Sequence, residues 1–329
     1  MLKNQFRALA LAGAIIVPTL HAEIITENFT NNPAVDGWQV FGDTNLFVWD
    51  STNHDLVVTW DSSQPNSYFY NPLQTMLGEP DTFSLAFDLT LSNAVATGPN
   101  GFEVSLGFLH LADATNVDFV RGTGYQDPNI VEFDFFPAFT YGTNSFDPSI
   151  DITLVDEAEN FIFVYDFTQG LDNGVTYHVE LNHDAGSDVV AVNVYAKDTN
   201  GLLTLYSTLP YSYVGPGFSD YFVDAIAISS YNDLNAGGTI SATGTVANIS
   251  VTTTPRPVGN FITSQSIGSA WQVQFSTRTN WSYTLERSTD LKTWTPASPK
   301  TPGIGDILTL EDFNPPSTQA FYRIHASQP

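Results

Sequence analysis

Ile130-Val131-Glu132-Phe133-Asp134-Phe135-Phe136 alternates with a period of two, the signature of a β-strand. Val131, Phe133 and Phe135 fall on one face of such a strand, and Glu132, Asp134 and Phe136 on the other. Two carboxylates two positions apart stand roughly 7 Å apart along the backbone. They can lean onto one cation, work as an acid and a nucleophile, or simply face solvent. An acidic turn around Asp147-Pro148 follows.

The same alternation recurs along the chain. Phe83, Leu85, Phe87 and Leu89 interleave with Ser84, Ala86, Asp88 and Thr90, and Val190, Val192 and Val194 repeat the pattern. Further short strands are expected over 45–49, 56–60, 67–70, 102–111, 151–155, 161–167, 176–183, 202–207, 222–229 and 245–252. Turn sequences such as Asp172-Asn173-Gly174 and Asp198-Thr199-Asn200-Gly201 separate them. Many short strands without a convincing helix predict an all-β fold, a β-sandwich or jelly roll, over residues 23–251. Residues 252–259 read as a Thr/Pro linker. Residues 260–329 read as a small β-sandwich-like module, with Trp271, Trp281, Trp294, Phe313 and Phe321 as its expected core.

The charge is divided along the same boundary. The 329 residues carry 35 acids against 10 lysines and arginines, a formal charge of −25. Residues 23–254 hold 30 of the acids and only two bases, Arg121 and Lys197, whereas residues 255–329 sum to +1. Such a balance excludes nucleic acid and anionic membranes as partners, because nothing neutralises phosphate. It suits neutral glycans, Ca²⁺ and a screening medium. Cysteine is absent, which removes disulfides and thiolate chemistry. Lys3 and Arg7, the apolar run Ala8 to Val17 and the end Leu20-His21-Ala22 predict a signal peptide over residues 1–22. That run is about half the ~20 residues a membrane span needs, so membrane insertion is not expected. The expected location is secreted, extracellular or at the cell surface, and a bacterial source fits a cysteine-free exported chain.

In strand order, residues 23–254 resemble the concanavalin A-like lectin and glucanase superfamily, which implies a two-sheet antiparallel jelly-roll sandwich. The matching pieces are Ser105-Leu106-Gly107-Phe108-Leu109, then Val131-Glu132-Phe133-Asp134-Phe135, an acidic loop, Ile150-Asp151-Ile152, Thr176 to Leu181, a hairpin, and the closing strand Gly244 to Val251. The legume-lectin branch implies metal ligation by Glu132, Asp134, Asn144 and Asp147, with Ca²⁺ as the oxygen-seeking cation. Ile152 stands where that branch has a histidine ligand, and its sugar-contacting Ala-Asp pair is missing. The laminarinase-type branch implies Glu132 as nucleophile and Asp134 as its neighbour. Its second carboxyl, two or three residues further on, is replaced by Phe136 and Pro137. No residue is therefore assigned as catalytic. Residues 260–329 resemble a β-module that recurs in secreted bacterial proteins, through Tyr283 to Trp294 and Phe321-Tyr322-Arg323-Ile324, and imply attachment or display.

Phe136, Tyr141, Trp60, Tyr68 and Tyr70 are the aromatic candidates for stacking on sugar rings. Trp60, Tyr68 and Tyr70 flank the polar loop 61–66 and are expected to be exposed. His178 and Glu180 share a strand face, as an acid/base couple or as a cross-strand surface pair. Asp151 joins the Asp147 turn, and Asp156, Glu157 and Glu159 are expected in a solvated loop. The leading functional expectation is a secreted glycan-binding or adhesive protein, calcium-stabilised and non-catalytic. The alternatives are a polysaccharide hydrolase or lyase, its acid displaced to Glu103 or Glu180, and a structural surface or matrix protein.

Overall fold

The computed structural model describes residues 17–18, 23–97, 104–122, 125–141, 143–166, 169–185, 187, 189–212, 220–232, 239–254, 261–278, 281–317 and 319–327. The chain forms two compact units that divide between Pro255 and Arg256.

The larger unit is a two-sheet antiparallel jelly-roll sandwich. One sheet has seven strands, in the order Phe161–Asp166, Ser149–Val155, Ile130–Phe136, Val104–Leu109, Val223–Ser230, Ser67–Leu77 and Gln39–Phe41. The other has eight. Leu203–Ser212, Val189–Lys197, Thr176–His183, Thr82–Ala96, Ile240–Thr254, Asp55–Asp61 and Phe47–Asp50 follow in order, and Glu23–Glu27 also pairs with Ile240–Thr254. Thr252–Thr254, expected in the linker, thus continue a paired strand.

Period-two alternation places the core. Val131, Phe133 and Phe135 join Val104, Leu106, Phe108, Ile150, Ile152 and Leu154 on the inner face of the seven-stranded sheet. Phe83, Leu85, Phe87, Val190, Val192 and Val194 meet them from the other sheet. Phe87 and Phe133 lie edge to face at 5.9 Å across this interface, as do Phe83 and Phe108 at 5.2 Å. Each large apolar side chain buried this way contributes about 1.5–3 kcal/mol. Flipping the Ile130–Phe136 register by one residue would drive Glu132 and Asp134 into this core.

In the smaller unit, strands Ser282–Ser288 and Phe321–Ser327 pair antiparallel, and Val17–Pro18 pairs in parallel with His325 and Ala326. Phe261–Ile267, Ala270–Ser276 and Ile307–Asp312 form a three-stranded sheet. Its core is Val273, Phe275, Trp281, Tyr283, Leu285, Leu310, Ile324 and Ala326. Of the expected aromatic core, only Trp281 is fully enclosed. Phe313 is 65% exposed, and Trp294 is half-buried beneath the Arg323 guanidinium, 4.4 Å from its ring.

Candidate functional site

Glu132 and Asp134 lie on the outer face of the seven-stranded sheet, as their alternation requires, but they do not face solvent. Both are completely buried. The antiparallel register sets a row across the sheet: Asp151 opposite Asp134, Asp134 opposite Ser105, Ser105 opposite Ser229, and Ser229 opposite Tyr68. The next row holds Thr153, Glu132, Gly107, Ala227 and Tyr70. Ser105, Gly107, Ala227 and Ser229 thus form a floor of small side chains between carboxylates on one side and tyrosines on the other. Gly107 has no alternative here. A Cβ would stand 2.3 Å from the Val131 carbonyl oxygen and 2.6 Å from Glu132 Cα.

Phe119, Arg121 and Tyr231 cover this floor. The Arg121 backbone is fixed in a two-residue antiparallel ladder with Gln126. The Asn66 carboxamide ties the cover down: its Nδ2 donates to the Phe119 carbonyl at 3.1 Å, and its Oδ1 accepts from the Asn232 amide at 2.7 Å. Arg121, 3% exposed, points its Nη2 at Asp134 Oδ2 (3.2 Å) and Glu132 Oε2 (3.4 Å). Its guanidinium lies 5.7 Å from the Tyr231 ring centre and 5.9 Å from that of Phe161. The Tyr231 hydroxyl donates to Glu132 Oε1. Tyr231 sits edge-on to Tyr68, with 5.7 Å between ring centres.

One guanidinium shared by two buried carboxylates leaves negative charge in excess. Burial, with Asp134 beside it, pushes the Glu132 carboxyl up to about 7 against the opposing pull of Arg121 and Tyr231. Burial also raises Asp134, opposed by Arg121 and by the hydroxyls of Thr153 and Ser105. Burial and the Glu132 charge push the Tyr231 phenol well above its ordinary range, and the same two causes lead for Tyr68. Within the row, Asp134 Oδ1, Ser229 Oγ and Tyr68 Oη are buried with no hydrogen-bond partner among the described residues.

The other residues singled out from the sequence are not all brought here. Asn144 and Asp147 are exposed around the Asn144–Phe146 strand, away from the buried pair. Among the described residues no three His, Asp or Glu side chains converge as metal ligands. The donor set therefore does not fit Ca²⁺, and a guanidinium stands against the two carboxylates that would bind it. Trp60 and Tyr68, expected to be exposed, are 1% and 0% exposed. Trp60 follows Leu56 and Val58 onto the inner face, and Tyr68 lies under Tyr231. Tyr70 is half-buried, its hydroxyl donating to Gln39 Oε1 at 3.1 Å, and Phe136 is half-buried at the end of its strand. Tyr141 pairs with Asn144 through the backbone, and its side chain lies outside the described atoms. Glu103 lies outside the described residues. Glu180 belongs to the eight-stranded sheet and cannot serve as an acid beside Glu132. Asp151 sits within a strand rather than a turn, and Asp156 is fully buried, accepting from the Ala158 and Asn160 amides.

On the outer face of the eight-stranded sheet, Asp88 accepts from His178 Nδ1 (2.8 Å), Asn248 Nδ2 (2.7 Å) and Lys197 Nζ. Glu180 accepts from the Tyr195 hydroxyl at 3.3 Å and lies 3.6 Å from His178 Nε2. His178 and Glu180 thus belong to a cross-strand network.

No family model and no curated protein matches the sequence. Among solved structures, winged bean acidic lectin in complex with methyl-α-D-galactose is 15% identical, with a TM-score of 0.45 over 71% of this chain and 99% of the lectin. Peanut lectin with a nine-residue peptide is 12% identical, with a TM-score of 0.44 over 70% and 98%. Lectin II from Ulex europaeus is 14% identical, with a TM-score of 0.45 over 71% and 99%. The likeness is one of chain course. The two-sheet sandwich stands on the strand order itself, and the site on its own geometry.

Proposed function

We propose that residues 22–255 form a carbohydrate-binding, non-catalytic domain of an exported protein, with residues 256–329 serving attachment or display. The observation that carries this reading is the row Asp134, Ser105, Ser229 and Tyr68. It presents carboxylate and hydroxyl groups strand by strand over roughly 14 Å, and Asp134 Oδ1, Ser229 Oγ and Tyr68 Oη are buried in it without a partner among the described residues. Each such atom costs about 1–3 kcal/mol, a cost retained where a ligand supplies the missing bonds. A glycan has the right chemistry, because its hydroxyls both donate and accept and its C–H faces pack on rings such as Tyr68 and Tyr231. The strand-order resemblance to sugar-binding sandwiches points the same way. Phe136 and Pro137, in place of a second catalytic carboxyl, argue against hydrolysis. Binding at this row requires Arg121 and Tyr231 to move off Glu132, where the structure holds them.

Tyr68→Phe and Ser229→Ala test the site. Each removes a buried polar atom that has no partner, so folding stability should stay level or rise. Retention on a panel of insoluble polysaccharides and on a glycan array should fall at the same time, with no reducing sugar released by either protein. Wild-type protein retained by no glycan in either format would end this reading.

A further inference from the structure

Every carboxylate on the covered face has been stripped of water, and only one positive side chain is within the domain's means to answer them. Glu132, Asp134 and Asp151 are all completely buried. Residues 23–254 contain two bases, and Lys197 is committed to Asp88 on the other sheet. Arg121 alone is left for this face. It meets Glu132 and Asp134 with one nitrogen at 3.4 and 3.2 Å, and Asp134 Oδ1 is buried without a partner among the described residues. Aromatic rings surround the guanidinium, Tyr231 on one side and Phe161 on another. Carboxylates plus ring faces make a receptor for a cation. The neighbouring Ser229 and Tyr68 hydroxyls, buried and unpartnered in the same row, ask for further hydrogen bonds of a kind a bare cation lacks.

We propose that this face selects a cationic sugar, a hexosamine residue with a free ammonium group, whose ammonium takes the place of the Arg121 guanidinium against Asp134 and Glu132 while its hydroxyls reach Ser229 and Tyr68. The inference rests on the carbohydrate-binding reading and names the sugar class. The selectivity follows from exchange. An ammonium replacing a guanidinium leaves the buried carboxylates compensated. A neutral sugar that displaced Arg121 would leave them buried and unpaired, the most costly outcome for a buried ion pair. An N-acetylated amine has lost the charge and falls with the neutral sugars. Burial is the main cause that raises the Glu132 carboxyl to about 7, and the adjacent Asp134 adds to it.

The test is calorimetric titration of the full chain with a glucosamine disaccharide, its N-acetylated form and cellobiose, at physiological ionic strength and slightly acid pH. The expected result is binding of the glucosamine disaccharide at least about tenfold tighter than the other two. Asp134→Asn, which keeps the shape and removes the charge, should erase the preference. Ser229→Ala should weaken binding in a fold that loses no bond. Asp147→Asn, on the exposed hairpin, should change nothing, which separates the site from general attraction to an acidic surface. Equal or tighter binding of the N-acetylated or neutral disaccharide would overturn the cationic preference and leave carbohydrate binding standing. A preference unchanged in Asp134→Asn would overturn it as well. No binding of any of the three, together with no retention on the wider glycan panel, would remove both readings.

Discussion

The two outer faces of one sandwich treat a carboxylate in opposite ways. On the eight-stranded sheet, burial alone would raise Asp88, but hydrogen bonds from His178, Lys197 and Asn248 outweigh it and hold the carboxyl below its ordinary range. On the seven-stranded sheet, Arg121 is shared between Glu132 and Asp134, and burial wins at both. Each face holds one of the two bases in residues 23–254. The balance between burial and the bonds each carboxylate receives decides the sign, not the presence of a cation. Three donors on the buried Asp88 carboxylate make a settled structural cluster. One guanidinium shared by two fully buried carboxylates, even with the Tyr231 hydroxyl on Glu132, leaves burial the larger influence at both.

Removing the cations should break the comparison most visibly. Arg121→Met leaves two buried carboxylates uncompensated and should cost about 3–5 kcal/mol in urea unfolding at neutral pH. Lys197→Met removes a lysine that is 28% exposed and leaves Asp88 its bonds from His178 and Asn248, so it should cost less, about 1 kcal/mol. Comparable losses in the two variants would erase the distinction.

Acid should then act on the two faces in opposite directions. The folded Glu132 carboxyl, near 7, lies above its ordinary value of 4.5. Its contribution is full below 4.5 and is lost as pH rises through about 7, by up to roughly 3 kcal/mol. Asp88 lies below its ordinary value of 3.8, so its contribution is present above that value and is lost as pH falls through the folded pKa. Stability measured against pH should lose its descending limb in Glu132→Gln and its acid limb in Asp88→Asn. An unchanged descending limb in Glu132→Gln would assign it elsewhere.

Smaller effects sharpen the picture of the floor. Gly107→Ala forces a methyl against the Val131 carbonyl and should cost about 2 kcal/mol through strand displacement. Tyr68→Phe should be neutral or stabilising by up to about 1 kcal/mol, because the lost hydroxyl has no partner among the described residues.

Much of the sandwich was legible in the chain. The alternation at 130–136 gave the strand and its faces, and Thr176–His183 was read to its ends. Alternation also carried the correct side for Trp60, in phase with Leu56 and Val58, although its closeness to the polar loop suggested exposure. Alternation says which face a residue takes, but not what lies above that face. Whether Glu132 and Asp134 held a cation, did chemistry or faced solvent stayed open, because their cover, Phe119, Arg121 and Tyr231, comes from segments that sequence spacing does not link to them. One signal was present. A single arginine among so many acids, outside any strand expectation, is the residue a buried carboxylate pair would need. Ser105 and Ser229 carried no signal at all, since a serine on an outer face reads as surface until the register aligns it with its neighbours.

The most direct measurement is a carboxyl ¹³C NMR titration of Glu132 in the whole protein and in Arg121→Met. A closed face with one cation for two carboxylates predicts a midpoint near 7 in the wild type, moving higher in Arg121→Met or taking the fold with it. A Glu132 midpoint in the ordinary carboxylate range, unmoved by loss of Arg121, would mean that the face is open to water and that Arg121 does not hold the pair.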